Sequence, residues 1–258
     1  MSLLAEERKK IIQSDLEEYG QVRVAELAEK FDVSTETIRR YLEELESEQK
    51  LKKVYGGAVK IEEDTGEHAL YEREIVRINE KQKIADRALQ FIEDNDVIII
   101  DEGSTPLQMI KGLCAKHNIT VITNSFPVAS ALISYSNHNQ FDGEIVFIGG
   151  SVQPLHNRSG GSLTEKIAKE FWADKAFISA DGLFHPKGVM SYDLEKSQLA
   201  QVYLRNATHT YLLADSMKIG VKATYRIAEF DQFDFIISDV DAPEEWEDAI
   251  LKKKWVIG

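Results

Sequence analysis

The chain has 258 residues, 43% of them hydrophobic, and 31 Lys and Arg against 44 Asp and Glu give it a formal net charge of −13. That length suits a small domain plus a larger one, and the acidic total excludes a protein that coats nucleic acid over its whole surface, because backbone binding relies on cations that neutralise phosphates. No apolar run approaches the roughly 18 residues of a membrane span, MSLLAEERKK has no signal-peptide pattern, and a single cysteine, Cys114, leaves no intrachain disulfide or cysteine metal site, which fits a reducing cytoplasm.

The charge is unevenly spread. Residues 1–60 hold 11 Lys and Arg against 13 Asp and Glu, so −11 of the total belongs to the rest. A first helical pattern runs from about Ala5 to Tyr19, with Ile11, Ile12, Leu16 and Tyr19 at helical spacing, and stops at Gly20. A second, VRVAELAEKF, sets Val24, Leu27, Ala28 and Phe31 on one stripe. The break Asp32-Val33-Ser34 leads into VSTETIRRYLEEL, where Ser34 suits an N-cap and Glu36 suits the positive first turn. Two short helices joined by three residues predict a helix-turn-helix.

At about 100° per residue, Ile38, Leu42 and Leu45 form the buried stripe of that third helix, and Arg39 and Arg40 point outward. The arginines have two readings: i,i+4 partners of Glu43 and Glu44, worth a few tenths of a kcal/mol each, or a DNA-reading surface. KLKKVYGGAVKI favours the second. It alternates apolar and basic residues around Gly56-Gly57, the pattern of a β-hairpin, and Lys50 to Lys60 contains no acid. A helix-turn-helix followed by a basic hairpin is a winged helix, whose hairpin can lie on the phosphate backbone.

Residues 61–80 begin polar and acidic and turn helical, which predicts a linker between a domain over 1–60 and another over 81–258. KQKIADRALQFI places Ile84, Ala88, Phe91 and Ile92 on one side of a helix. The strands DVIIID, ITVITN, EIVFIGG, KAFISAD, TYLLAD, FDFIISD and KKWVIG then alternate with polar loops and helices, which implies a largely parallel sheet covered on both faces. Ligands of such sheets bind outside the carboxyl ends of the strands, so the loops there are the candidate site. In DEGSTP, Asp101, Gly103, Ser104 and Thr105 open a helix and suit a phosphate, although Thr105 to Gln108 also has the form of a capping box. In TNSFP, Asn124 either bridges sugar hydroxyls or ties two loops together, and Ser125 lies beside it. GGSV and Ser159-Gly160-Gly161-Ser162 are expected as further loops, with Ser162 to Glu165 again a possible capping box. Asp101 and Asp181 suit sugar hydroxyls or turns, Gly182 follows, and Lys218 is the cation nearest a strand end and the leading candidate to meet a phosphate. The six histidines are scattered without metal-ligand spacing, though His156 and His185 fall in loops near this site.

The run VSTETIRRYLEELESEQKLKKVYGGAV resembles the N-terminal signature of the DeoR family of bacterial transcriptional regulators, S-x-x-T-I-R-R-D-L followed by a basic H-G-G-A. Ser34, Thr37, Ile38, Arg39, Arg40, Leu42, Gly56, Gly57 and Ala58 match it, whereas Tyr41, Gln49 and Tyr55 stand where the family has Asp, Gly and His. Tyr41 is expected next to the reading face. DEGST, TNS, FIGG, ADKAFISADGL, GVMSYD, LLADSMKIG and FIISD are similar, in the same order, to the motifs of the family's C-terminal sensor domain, so the resemblance spans about residues 5 to 257. Glu102 fills a variable position of the first motif.

The resemblance implies a winged helix-turn-helix followed by a Rossmann-like, ribose-5-phosphate-isomerase-like α/β sensor domain. Ser34, Thr35, Thr37, Arg39 and Arg40 would meet bases or backbone of double-stranded operator DNA, with Lys52 and Lys53 on wing phosphates. Asp101, Gly103, Ser104, Thr105, Asn124, Ser125, Gly161, Asp181, Gly182 and Lys218 would bind a phosphorylated sugar or related metabolite. The expected function is a cytoplasmic repressor of a sugar catabolic operon, a homodimer or homotetramer, released from its operator by that effector and needing no metal, cofactor or membrane. The alternative, a sugar-phosphate isomerase with an accessory DNA-binding domain, would need a base among Asp181, Asp193 and Glu195. The lysine- and glycine-rich segment of the isomerase site has no counterpart after ADGLFHPKG, so no catalysis is expected.

Overall fold

A computed structural model describes residues 3–48, 50–54, 56–59, 70, 73, 76–246 and 249–258. The chain divides into two compact units, Met1–Val76 and Arg77–Gly258. Most of the linker expected over 61–80 lies outside the described residues, as does Lys60.

The first unit runs α1 (Leu3–Tyr19), β1 (Gln21–Arg23), α2 (Val24–Phe31), α3 (Thr35–Ser47), β2 (Lys52–Val54) and β3 (Gly57–Val59). Gly20, at φ +74°, ends α1. Asp32, at φ +50°, closes α2, and the Ser34 hydroxyl accepts from the Thr37 amide at 3.2 Å to open α3, so the three-residue turn is fixed at both ends. Ile12, Leu16, Val24, Leu27, Ile38, Leu42 and Leu45 pack with Leu51 and Ala58 into one core. Ile11 departs from its expected place and is 40% exposed.

The helical spacing of VRVAELAEKF predicts helix from Val22 onward. Gln21–Arg23 is instead a strand, paired antiparallel with β3, which makes the wing three-stranded in the order β1-β3-β2. Tertiary pairing overrides the helical spacing here, because Val22 is β-branched and its partner Ala58 is small. Gly57 sits where these strands are tightest: a Cβ there would lie 2.1 Å from the Val22 carbonyl oxygen.

In the second unit, β4 (Val97–Ile100), β5 (Thr120–Thr123), β6 (Glu144–Phe147), β9 (Ala173–Ser179), β12 (Ala207–Leu213), β14 (Phe235–Ser238) and β15 (Trp255–Ile257) form one seven-stranded sheet in the order β15-β14-β12-β9-β4-β5-β6. All six pairings are parallel. These are the seven segments read as strands from the sequence. Successive side chains of β4 show why their apolar runs are unbroken. Ile98 and Ile100 pack with Ile84, Ala88, Val128 and Leu132 on one face, while Ile99 packs with Leu199, Ala200 and Tyr203 on the other.

Two smaller sheets go beyond the expectation. GGSV and the Ser159-Gly160 segment, expected as loops, contribute to a hairpin of β7 (Ser151–Gln153) and β8 (Arg158–Gly160). β10 (Gly182–Phe184), β11 (Gly188–Ser191) and β13 (Tyr225–Ala228) form an antiparallel sheet. Among the described residues no helix is long and apolar enough to cross a membrane.

Replacing Gly57 with Ala should separate β1 from β3 and destabilise the first unit by about 1–3 kcal/mol, the usual range for overpacking. Urea denaturation followed in that unit, with an unchanged midpoint as the contrary result, checks it.

Candidate functional site

On α3, Arg39 and Arg40 are exposed, as are Ser34 and Thr35. The two acids one turn further on are committed elsewhere. Glu43 Oε1 accepts from Lys53 Nζ at 2.8 Å and Glu44 Oε2 from Lys9 Nζ at 3.1 Å. The hydrogen bond from Lys53, followed by its charge, holds the Glu43 carboxyl below its ordinary range. Arg39 meets only the edge of ion-pair distance to Glu36, 3.9 Å, and the Arg40 guanidinium lies 5.8 Å from the Tyr41 ring centroid. Of the two readings of the arginines, the i,i+4 one loses its partners, since the wing and α1 engage Glu43 and Glu44.

Tyr41 is corrected. Expected next to the reading face, it is 4% exposed and packs in the core with Ile38 and Leu42, only its ring lying under the Arg40 guanidinium. Ser34 caps α3 through its hydroxyl, which also lies 3.0 Å from that of Thr37. Lys53 lies on β2 and is held by Glu43, with its own amide donating to Glu46 Oε1 at 2.7 Å. The Lys52 side chain lies outside the described residues.

The second candidate region lies where the sheet changes direction. From β4 the chain lays β5 and β6 to one side and β9, β12, β14 and β15 to the other, so the strand order reverses between β4 and β9. Ligand crevices of open parallel sheets form at the carboxyl ends beside such a switch point. Asp101 and Glu102 follow β4 there, and Asp181 follows β9.

Glu102 is tied to Asp181 through one buried cation and to Asp193 through another, with Asp101 beside it. Lys196 Nζ lies 2.7 Å from Asp181 Oδ1 and 3.2 Å from Glu102 Oε1. Arg158 NH1 lies 3.1 Å from the same Glu102 oxygen, and its NH2 lies 3.0 Å from Asp193 Oδ1. The side chains of Glu102, Arg158, Asp181 and Lys196 are each 1% exposed. Asp181 Oδ2 also accepts from the Ser191 hydroxyl at 2.8 Å and the Tyr192 amide at 3.1 Å. Asp101 accepts from the Ser179 amide at 3.1 Å, and the Ser179 hydroxyl donates to the Glu102 carbonyl at 2.6 Å, which pins the loop after β4 to the end of β9. Burial, and next the charge of Glu102, push the Asp101 carboxyl up from 3.8 to about 7, with Lys196 opposing.

The remaining sequence candidates fall around this cluster in different roles. The Asn124 amide donates to the Ser159 carbonyl at 2.9 Å and its oxygen accepts from the Tyr203 hydroxyl at 3.3 Å, so it ties loops together. Burial holds the Tyr203 phenol far above its ordinary range, and it stays a neutral donor. Ser125 caps the helix Phe126–Asn137, its hydroxyl accepting from the Val128 amide. Gly182 is needed for close approach, since a Cβ there would lie 2.3 Å from the Val221 carbonyl oxygen.

Both capping boxes are corrected. The helix Ser104–Leu107 starts one residue before Thr105, and Ser162–Ala168 includes Ser162 itself. The caps are Gly103 at φ +135° and Gly161 at φ +89°, with no side chain bonded to either helix start. A Cβ on Gly103 would lie 2.9 Å from the Ser179 hydroxyl, so glycine is required there by space as well as by backbone. Thr105 is buried within its helix and its hydroxyl does not serve as the cap.

Lys218 lies in the short turn Ser216–Lys218 after β12 and is half-buried. The cations within ion-pair distance of Glu102 are Arg158 and Lys196. The sequence candidates include neither of these cations nor Ser179, while Glu102 enters there only as a variable motif position and Asp193 only as a possible base. For Lys196 a signal existed: it stands in helical register with buried Leu199, Ala200 and Tyr203, an odd place for a lysine. For Arg158 none did, because its hairpin has no pattern of its own. His185 packs on Trp246 with ring centroids 5.5 Å apart, and His156 is buried within the turn Pro154–His156. Among the described residues no group of three or more His, Cys, Asp or Glu could hold a metal ion.

Residues 8–64 match the family model of the DeoR-like helix-turn-helix domain, and residues 76–240 match that of the DeoR C terminal sensor domain. The uncharacterized HTH-type transcriptional regulator YulB of Bacillus subtilis is 32% identical over 237 residues, covering 92% of this chain and 89% of its own. The HTH-type transcriptional regulator IolR of the same organism is 31% identical, covering 90% and 92%. The lactose phosphotransferase system repressor of Staphylococcus epidermidis is 29% identical, covering 88% and 89%. Among solved structures, ribose 5-phosphate isomerase A of Methanocaldococcus jannaschii is 18% identical at a TM-score of 0.38, covering 54% of this chain and 53% of its own, a likeness too low to carry an argument. With both units matched in order, this chain belongs to the DeoR family of helix-turn-helix transcriptional regulators.

Proposed function

We propose that this protein represses a sugar catabolic operon and leaves its operator when a phosphorylated sugar occupies the crevice at the carboxyl ends of β4 and β9. One observation carries the sensor half of this reading: the buried ion-pair cluster coincides with the switch point of the sheet. Polar groups placed there suit a ligand rich in hydroxyls, with carboxylates accepting and Lys196 and Arg158 donating. Asp101, with its carboxyl near 7, exists partly as the neutral acid at physiological pH and can donate to a sugar oxygen. The name of the Staphylococcus epidermidis relative, a lactose phosphotransferase system repressor, points the same way.

On the DNA side, α3 enters the major groove with Arg39 and Arg40 on the bases or backbone, Ser34, Thr35 and Thr37 at its start, and Lys52 and Lys53 of the wing on phosphates. The protein acts in the cytoplasm as a homodimer or homotetramer. Ligand and DNA are coupled by population shift: the effector binds better to the state of low operator affinity, and DNA weakens effector binding by the same factor. Catalysis is no part of this reading, since Asp181 and Asp193 are engaged with Lys196 and Arg158 and Glu195 accepts from Gln153. Incubation with ribose 5-phosphate is expected to yield no ribulose 5-phosphate.

The decisive experiment is a panel of sugar monophosphates screened for thermal stabilisation, with hits retested for release of the chain's own promoter DNA. No stabilisation and no release by any of them would sink the sensor reading. Alanine at Arg39 and Arg40 should abolish operator binding, each base-reading arginine being worth about 1–3 kcal/mol, while the ligand-induced stabilisation persists. Glu43→Gln should tighten DNA binding at low salt by freeing Lys53 and removing a charge that repels phosphate; gel shifts that show weaker binding would contradict the wing assignment.

Asp101 sets a pH dependence with a definite sign. Its folded pKa of about 7 exceeds the unfolded value near 3.8, so the folded state holds the proton more tightly. The resulting stabilisation is full below about pH 4, declines as pH rises and is lost above about pH 7. The second unit should therefore melt higher at pH 6 than at pH 8, and Asp101→Asn should remove that difference in calorimetry.

A further inference from the structure

Glu102 is the charged residue that this crevice does not need for neutrality. Lys196 already has Asp181 at 2.7 Å, and Arg158 already has Asp193 at 3.0 Å. Glu102 adds one more carboxylate to both, at 3.2 and 3.1 Å, and Asp101 adds another beside it. Three acids thus share these two cations, with Asp101 buried beside them. A buried carboxylate carries a desolvation cost that only its pairing offsets, so a neutral residue at 102 would leave each cation still paired one to one.

The geometry gives that extra charge a use. A single oxygen, Glu102 Oε1, takes donors from both Arg158 and Lys196, so the carboxylate fills the point where the two cations converge. That is the point at which a second anionic group of a ligand would find its partners. We propose that Glu102 is a specificity residue: as a built-in anion it occupies this subsite, so the crevice takes sugars with one phosphate and otherwise uncharged hydroxyls and rejects bisphosphates and phosphorylated sugar acids. The inference rests on the sugar-phosphate reading above.

Two physical points support it. A second ligand anion brought to the point that Glu102 Oε1 occupies meets repulsion that little solvent screens, whereas a hydroxyl there can donate to the carboxylate. The chain also contains its own probe of the effect, because burial and then Glu102 raise the neighbouring Asp101 carboxyl to about 7. A ligand carboxylate in the same place would meet the same two obstacles.

The test uses the full-length protein and calorimetric titration with matched pairs: fructose 6-phosphate against fructose 1,6-bisphosphate, tagatose 6-phosphate against its 1,6-bisphosphate, and glucose 6-phosphate against 6-phosphogluconate. Wild type should bind at least one monophosphate, and its doubly anionic counterpart at least about 30-fold more weakly, as expected from like charges brought together. In Glu102→Gln the ratio should shrink to roughly threefold or less through a gain in binding of the doubly anionic ligand. Wild-type binding of a bisphosphate or sugar acid as tight as its monophosphate, or a ratio unchanged in both Glu102→Gln and Glu102→Ser, overturns this inference and leaves the sugar-phosphate reading standing. If no member of any pair binds wild type, this inference falls whatever the broader monophosphate panel returns. Should Glu102→Gln fail to fold, the serine variant and the wild-type ratio decide.

Discussion

The second unit depends on the way Glu102 and Asp181 are joined through Lys196. The loop after β4, the end of β9 and the helix Leu194–Arg205 each have their own place in the fold, and this ion pair with Arg158 makes them one rigid corner. Removing Lys196 would leave Asp181 and Glu102 without this shared cation, at a cost of about 3–5 kcal/mol. Ser179 completes the arrangement by bonding to both members of the Asp101-Glu102 pair. The candidate ligand region is consequently built on two central strands, not on a mobile rim.

The position of that corner follows from topology. A parallel sheet that grows outward in both directions from β4 leaves a cleft at the point of divergence, with the carboxyl ends of β4 and β9 as its floor. Side chains following those strands are brought together whatever their separation in the chain, so Glu102 meets Arg158, 56 residues later, and Lys196 beyond it. The glycines at 103 and 161 serve the same crowded end of the sheet, each starting a helix where no side chain caps it.

The DNA-binding unit shows competition for acids at the surface. Arg39 and Arg40 have glutamates within helical reach, and in isolation the pairs would neutralise each other. The wing and α1 decide otherwise, since Lys53 and Lys9 approach Glu43 and Glu44 from other elements. The arginines are left facing outward with only Glu36 at the limit of pairing distance. A basic reading face thus survives in an acidic chain.

Sequence alone determined the elements. Helical periodicity, the Ser34 cap and the three-residue break fixed the helix-turn-helix, and seven apolar runs fixed the strands of the sheet, because period and cap chemistry are local properties that a linear chain displays directly. It also singled out Asp101 and Asp181, which stand at strand ends. Only the tertiary structure decided which charges meet. The strand at Gln21–Arg23, the glycine caps in place of the threonine and serine ones, the burial of Tyr41 and the Glu102–Arg158–Lys196 cluster all depend on partners distant in the chain. Neither spacing nor composition encodes such pairings, since strand order, not chain distance, sets which side chains become neighbours.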